Sequence, residues 1–129
     1  MEGTAEVNGV NLWYRITGKG EPVVQIHGAG FGHFNFDPVT PELSKHFRVI
    51  DYDMRGYGAS DRPVQDYDME VWADDLAGLL DALEIDRAHV HGTSMGGMIA
   101  IAFAGKYPER TTSVVINCAA AKLGVTGRL

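Results

Sequence analysis

Cysteine is nearly absent: Cys118 is the only one in 129 residues. An internal disulfide is thereby excluded, the usage fits a reducing compartment, and a lone thiol on an apolar strand reads as a packing residue. No stretch approaches the ~18 consecutive apolar residues of a membrane span. Met1 is followed by Glu2-Gly3-Thr4, without a basic or apolar leader, so no secretory signal is read and a cytoplasmic location is expected. Positive charge is also scarce. Eleven Lys and Arg face 17 Asp and Glu, a formal net charge of −6, which argues against nucleic acid or an anionic membrane surface as a partner. There is no Gly-Lys-Ser/Thr phosphate loop, and the five histidines show no metal-ligand spacing. No metal or cofactor is expected. One further scarcity is local: after Ser94 the only carboxylate side chain is Glu109, and there is no histidine.

What remains is enough for one domain. The chain is 45% hydrophobic and 22% charged, a folding composition, and it carries no repeat, low-complexity tract or linker. Residues 4–7 and 10–16 are β-rich and flank Asn8-Gly9, a strong hairpin signal. Residues 22–26 read as a short buried strand, 38–46 as a helix with Pro41 in its first turn, and 47–52 as another strand. A turn-rich loop follows to residue 63. Residues 69–85 form the clearest amphipathic helix. Trp72, Leu76, Leu79, Leu80 and Leu83 share one face, and Asp74, Asp75, Asp81 and Glu84 are expected to face water. Residues 87–91 read as a strand and 113–117 as a last one. The helix between them is apolar or small nearly all round from Met98 to Ala104, which predicts burial. Strands alternating with helices imply βαβ units and a parallel sheet behind an antiparallel hairpin.

The chemistry concentrates where strands end. His91-Gly92-Thr93-Ser94-Met95-Gly96-Gly97 joins a predicted strand to a predicted helix. In that context Gly-x-Ser-x-Gly is a nucleophile elbow: the glycines permit a sharp turn, and Ser94 Oγ stands above the sheet at the positive end of a helix. His27-Gly28-Ala29-Gly30 follows another strand on the same edge. Its Gly-x-Gly does not extend to a dinucleotide fingerprint, because His33 occupies the third glycine position. Phe31, His33, Phe34 and Phe36 come next and are placed to line an acyl or ring-binding pocket. Asp51 and Asp53 share a strand face and are a candidate carboxylate pair. His91 is read as packed on its strand, and His33, His46 and His89 as loop or surface residues.

Four features in order resemble the α/β-hydrolase family: His27-Gly28-Ala29-Gly30, Asp53-Met54-Arg55-Gly56-Tyr57-Gly58-Ala59-Ser60, the Ser94 elbow, and Tyr107-Pro108-Glu109-Arg110. The resemblance covers essentially the whole chain but only the N-terminal half of a typical member. It implies an α/β-hydrolase fold, mostly parallel with an N-terminal antiparallel hairpin, of which residues 1–129 are the N-terminal part of one core domain. The C-terminal half and cap are expected to lie outside it. Residue by residue, the resemblance makes Ser94 the nucleophile and gives the oxyanion-hole N–H groups to Met95 and Ala29. Around them His27, Gly28, Gly30, Phe31 and Phe34 are expected to shape the substrate pocket, and the resemblance gives Asp53, ahead of the Arg-Gly turn, to loop hydrogen bonding. The family order Ser…Asp/Glu…His places acid and base downstream of the serine, so a C-terminal companion segment is expected to bring them. The implied activity is cleavage of a small-molecule ester, lactone or carbon–carbon bond beside a carbonyl. Serine at the elbow argues against aspartate-dependent relatives such as epoxide hydrolases. The alternative is a non-catalytic ligand-binding or signalling module on the same fold. Residues 119–129, through Gly124 and Gly127, read as an exposed loop, and the last strand as a sheet edge with an uncovered apolar face.

Overall fold

The structure is a computed structural model describing residues 1–65 and 67–117. Cys118 and the 119–129 loop therefore lie outside the described residues. Strands β1 (Glu2–Val7) and β2 (Val10–Thr17) form the hairpin, closing Val7 on Val10. Asn8 and Gly9 both take positive φ, 50° and 85°, as a two-residue hairpin turn requires. Then follow β3 (Pro22–Ile26), a 3-10 turn at His33–Phe36, α1 (Thr40–Leu43), β4 (Arg48–Tyr52), α2 (Met69–Ala82), β5 (Ala88–Thr93), α3 (Met95–Lys106), a 3-10 turn at Pro108–Arg110 and β6 (Thr111–Asn117). The expected helix over 38–46 contracts to one turn, Thr40–Leu43, with Pro41 at its start; residues on either side of it close through turn-type hydrogen bonds instead.

The six strands run in the order β1-β2-β4-β3-β5-β6. β4, β3, β5 and β6 pair in parallel, and β2 joins β4 antiparallel. Among the described residues β6 is the last strand in this order, with Val115 and Ile116 54% and 41% exposed. α2 and α3 cover one sheet face. Val24, Ile26, Ile50, Tyr52 and Val90 meet Leu76, Leu79, Leu80, Ile99 and Phe103 there, all buried. At about 1.5–3 kcal/mol per fully buried large apolar side chain, this layer is the main source of stability. α1 lies on the opposite face and leaves a groove of about 350 Å3 beside it, lined by Val23, Val39, Leu43, Phe47 and Val115 and, on its polar side, by His89, His91 and Ser113.

Two expectations are corrected. Among the described residues α3 is not buried all round: Ile99, Ala100 and Phe103 are inside, but Met98 and Ile101 stand 48% and 56% exposed, on the side away from the sheet. Asp75 does not face water. It is buried and paired with Arg55, whose Nε and Nη2 reach its two carboxylate oxygens at 2.8 and 3.0 Å. Asn8 Nδ2 donates to the same carboxylate at 3.2 Å, so one buried charge pair ties the hairpin turn, the 53–63 loop and α2 together. Burial pushes the Asp75 carboxyl upward, with Arg55 and Asn8 opposing.

Candidate active site

β5 ends at Thr93 and α3 begins at Met95, so Ser94 alone makes the turn. It does so at φ 56°, ψ −121°, a backbone region that only glycine enters freely; holding another residue there costs about 1–3 kcal/mol. Two bonds hold it. Ser94 N–H donates to the Asn117 carbonyl at 3.1 Å, and Gly97 N–H donates to the Ser94 carbonyl at 2.9 Å. The flanking glycines make room. A Cβ on Gly92 would lie 2.7 Å from the Gly97 nitrogen, and one on Gly96 would lie 2.6 Å from the His27 carbonyl oxygen. The start of α3 therefore rests directly on the backbone of β3 and of the loop after it.

That loop stands across from Ser94. A Cβ on Gly28 would lie 3.3 Å from Ser94 Cβ. Gly28 N–H is taken by Asn35 Oδ1 at 3.0 Å, and Phe31 N–H closes a turn onto the Gly28 carbonyl at 3.2 Å. Among the described residues, the Ala29 amide donates to no backbone carbonyl. Met95 opens α3, where a first-turn N–H has no intrahelical acceptor. His27 is fully buried, with Nδ1 2.8 Å from the Gly28 carbonyl and Nε2 3.0 Å from the Met54 amide. Since an amide only donates, Nε2 accepts and Nδ1 carries the proton. Burial holds this imidazole below its ordinary pKa of 6.5, and the neutral ring rivets the loop to the end of β4.

Residues 21–126 match the family described as alpha/beta hydrolase fold. The chain belongs to this family. It is 47% identical, over 112 residues, to a 2-hydroxy-6-oxo-2,4-heptadienoate hydrolase of Pseudomonas putida; the match covers 84% of this chain and 41% of that protein. Among solved structures it resembles a meta-cleavage product hydrolase from Pseudomonas fluorescens, with TM-score 0.83 and 40% identity over 87% of this chain and 43% of that one. It also resembles an enol-lactonase from Burkholderia xenovorans, with TM-score 0.85 and 39% identity over 87% of this chain and 45% of that one. The chain thus spans less than half the length of these relatives.

In this alpha/beta hydrolase chain the predicted site residues fall into two groups. Ser94, Met95, Gly28 and Ala29 meet at the carboxyl edge of β3 and β5. Phe31 and Phe34 stand outside, 50% and 51% exposed with ring centroids 6.1 Å apart, and Gly30 turns the chain toward them at φ 77°. Phe36 instead points inward and is buried. Asp53 serves the loops, as read: its fully buried carboxylate takes His33 N–H at 2.6 Å and Ala59 N–H at 2.9 Å. His33 is more than a surface residue. Its Nδ1 lies 2.9 Å from Asp53 Oδ1, and its ring sits 4.1 Å from that of Trp13. Asn35, which receives the Gly28 amide, was not among the predicted site residues; an asparagine seven positions after the glycine it serves leaves no periodic signal. Glu109 is exposed in its 3-10 turn. Among the described residues no helix is long and apolar enough to cross a membrane, and no cluster of three His, Cys, Asp or Glu is gathered for a metal ion.

Proposed function

We propose that the chain is the nucleophile-bearing half of a serine hydrolase acting on a small carboxylic ester, a lactone or a carbon–carbon bond beside a carbonyl. The observation that carries the reading is Ser94 held at φ 56° between β5 and α3 and facing the Gly28 backbone. In this proposal Ser94 Oγ attacks the carbonyl carbon and loses its proton to a general base. The carbonyl oxygen takes up negative charge facing the Met95 and Ala29 amides, and collapse expels the leaving group to give an acyl-enzyme that water hydrolyses. Each oxyanion donor is typically worth ~10²–10³ in rate. The positive end of α3 favours the same charge. The named activities of the relatives support carbon–carbon bonds and enol-lactones as the substrate classes. Phe31 and Phe34, exposed at the loop mouth, are suited to the apolar part of such a substrate.

The base and its orienting carboxylate are taken, in the same proposal, from a companion segment beyond residue 129, a length that the relatives possess. The test is labelling by a fluorophosphonate probe and turnover of p-nitrophenyl acetate in the full-length protein. Ser94→Ala is expected to abolish both while leaving the melting temperature within a few degrees; triad serine losses reach ~10⁶ in kcat. Retention of more than a tenth of wild-type kcat would overturn the assignment. A ligand-induced melting shift without labelling of the wild type would instead favour a binding module.

A further inference from the structure

The sheet face opposite α2 and α3 carries a row of polar side chains where an apolar layer is the norm. Arg15 on β2, Asp51 on β4, Gln25 on β3 and His91 on β5 are successive register partners. Asp51 and Gln25 are 0% and 1% exposed, and Thr40 of α1, buried beside them, completes the set. Every donor in the row is fixed by one fact: the Asp51 carboxylate only accepts. Gln25 Nε2 donates to Asp51 Oδ1 at 2.6 Å and to Thr40 Oγ1 at 2.9 Å, while Thr40 Oγ1 and Arg15 Nη2 donate to Asp51 Oδ2 at 3.0 and 3.1 Å. The Gln25 carbonyl oxygen is therefore turned to His91, 3.0 Å from Nδ1, and His91 must donate through Nδ1–H. Burial holds this imidazole below its ordinary pKa, which favours the neutral ring, whose Nε2 keeps a lone pair. The group facing it is Asn117 Nδ2, at 3.5 Å. Asn117 is also the residue whose carbonyl accepts Ser94 N–H.

We propose that His91 and Asn117 are positioning residues for Ser94: the buried Asp51–Gln25–His91 row aims a lone pair at the Asn117 amide, and this holds the Asn117 carbonyl under the strained elbow. The inference rests on the reading of Ser94 as the nucleophile. A polar row with a single donor direction fixes strand register, and this one ends on the residue that closes the elbow. The groups around the His91 ring are Asp51 through Gln25, the Phe36 ring at 5.1 Å, Asn117, and His89 two positions earlier on its own strand. Only Asp51 and His89 among them titrate.

The test uses Asn117→Ala and Asn117→Asp in the full-length protein. Asn117 is exposed, so both variants are expected to fold with near-native melting temperatures. The rate of Ser94 labelling is expected to fall about tenfold in Asn117→Ala at every pH, the scale of a modest misplacement of a reacting atom. An aspartate cannot donate to neutral His91, so Asn117→Asp is expected to label as slowly as Asn117→Ala at pH 8. It should recover toward the wild-type rate as pH is lowered well below the ordinary imidazole value and His91 becomes protonated, where both ring nitrogens donate. Imidazole 15N shifts give a readout that does not depend on Ser94 chemistry: the wild type should show His91 as the neutral Nδ1–H tautomer. The other tautomer would overturn the proposal. So would wild-type labelling in both variants, or Asn117→Ala and Asn117→Asp slowing alike at all pH. Failure of the wild type itself to label would overturn the nucleophile reading and leave the tautomer result standing separately.

Discussion

Gly96→Ala adds a single methyl group at the start of α3. The new carbon would lie 2.6 Å from the His27 carbonyl oxygen and closer still to that of Ile26, whereas non-bonded heavy atoms settle at about 3.5 Å. Neither carbonyl has freedom to yield: Ile26 ends β3, which is paired to β4 and to β5, and His27 is buried with its ring held to the Met54 amide. The helix must move instead, by about 1 Å. α3 then withdraws Ile99 and Phe103, both 0% exposed, from the sheet. Overpacking costs about 1–3 kcal/mol, and partial loss of two large buried side chains adds a similar amount, so the total is about 2–6 kcal/mol. Domain stabilities are about 5–15 kcal/mol, so a large fraction of the stability should be lost. Gly105→Ala is the internal control: the same change in the same helix, where a Cβ meets nothing within 4 Å, should stabilise by about 0.5–1 kcal/mol. Urea and thermal unfolding followed by circular dichroism separate the two. A Gly96→Ala protein melting within a few degrees of the wild type would show that α3 does not bear on β3 as described.

Tyr52 is 1% exposed and its hydroxyl has no hydrogen-bond partner among the described residues; Tyr52→Phe is therefore expected to leave the melting temperature unchanged or raise it, by up to about 1 kcal/mol equivalent, and a clear drop would reveal a partner for that hydroxyl. Burial holds His27 and His91 below the ordinary 6.5, so the unfolded chain takes up these protons first. Stability should be full above about pH 7 and erode as pH falls through 6.5 toward the folded-state values; a urea midpoint that rises between pH 7 and 5.5 would contradict this.

Local signals carried far in this chain. Asn8-Gly9 specified its hairpin because both residues tolerate the positive φ that the turn demands, and Gly92-x-Ser94-x-Gly96 specified the elbow because its glycines sit where any side chain meets backbone. Asp75 was misread because the amphipathic pattern of α2 knows nothing of Arg55, which arrives from a separate loop. The α3 surface was misread for the opposite reason. Composition states how apolar a helix is, not whether a partner stands on each side of it. The Asp51–Gln25–His91 row was invisible because its members are adjacent only across the sheet, Gln25 and His91 being 66 positions apart in sequence.

The left-handed backbone at Ser94 also has a consequence for how this position drifts under selection. Glycine would occupy φ 56°, ψ −121° without the strain that serine bears there, so exchange to glycine is a downhill step in folding free energy. A lineage released from the proposed chemistry would meet that step as one of its easiest stabilising mutations. Serine at position 94 therefore stands against the gradient of stability, a cost that the proposed role of its hydroxyl would account for.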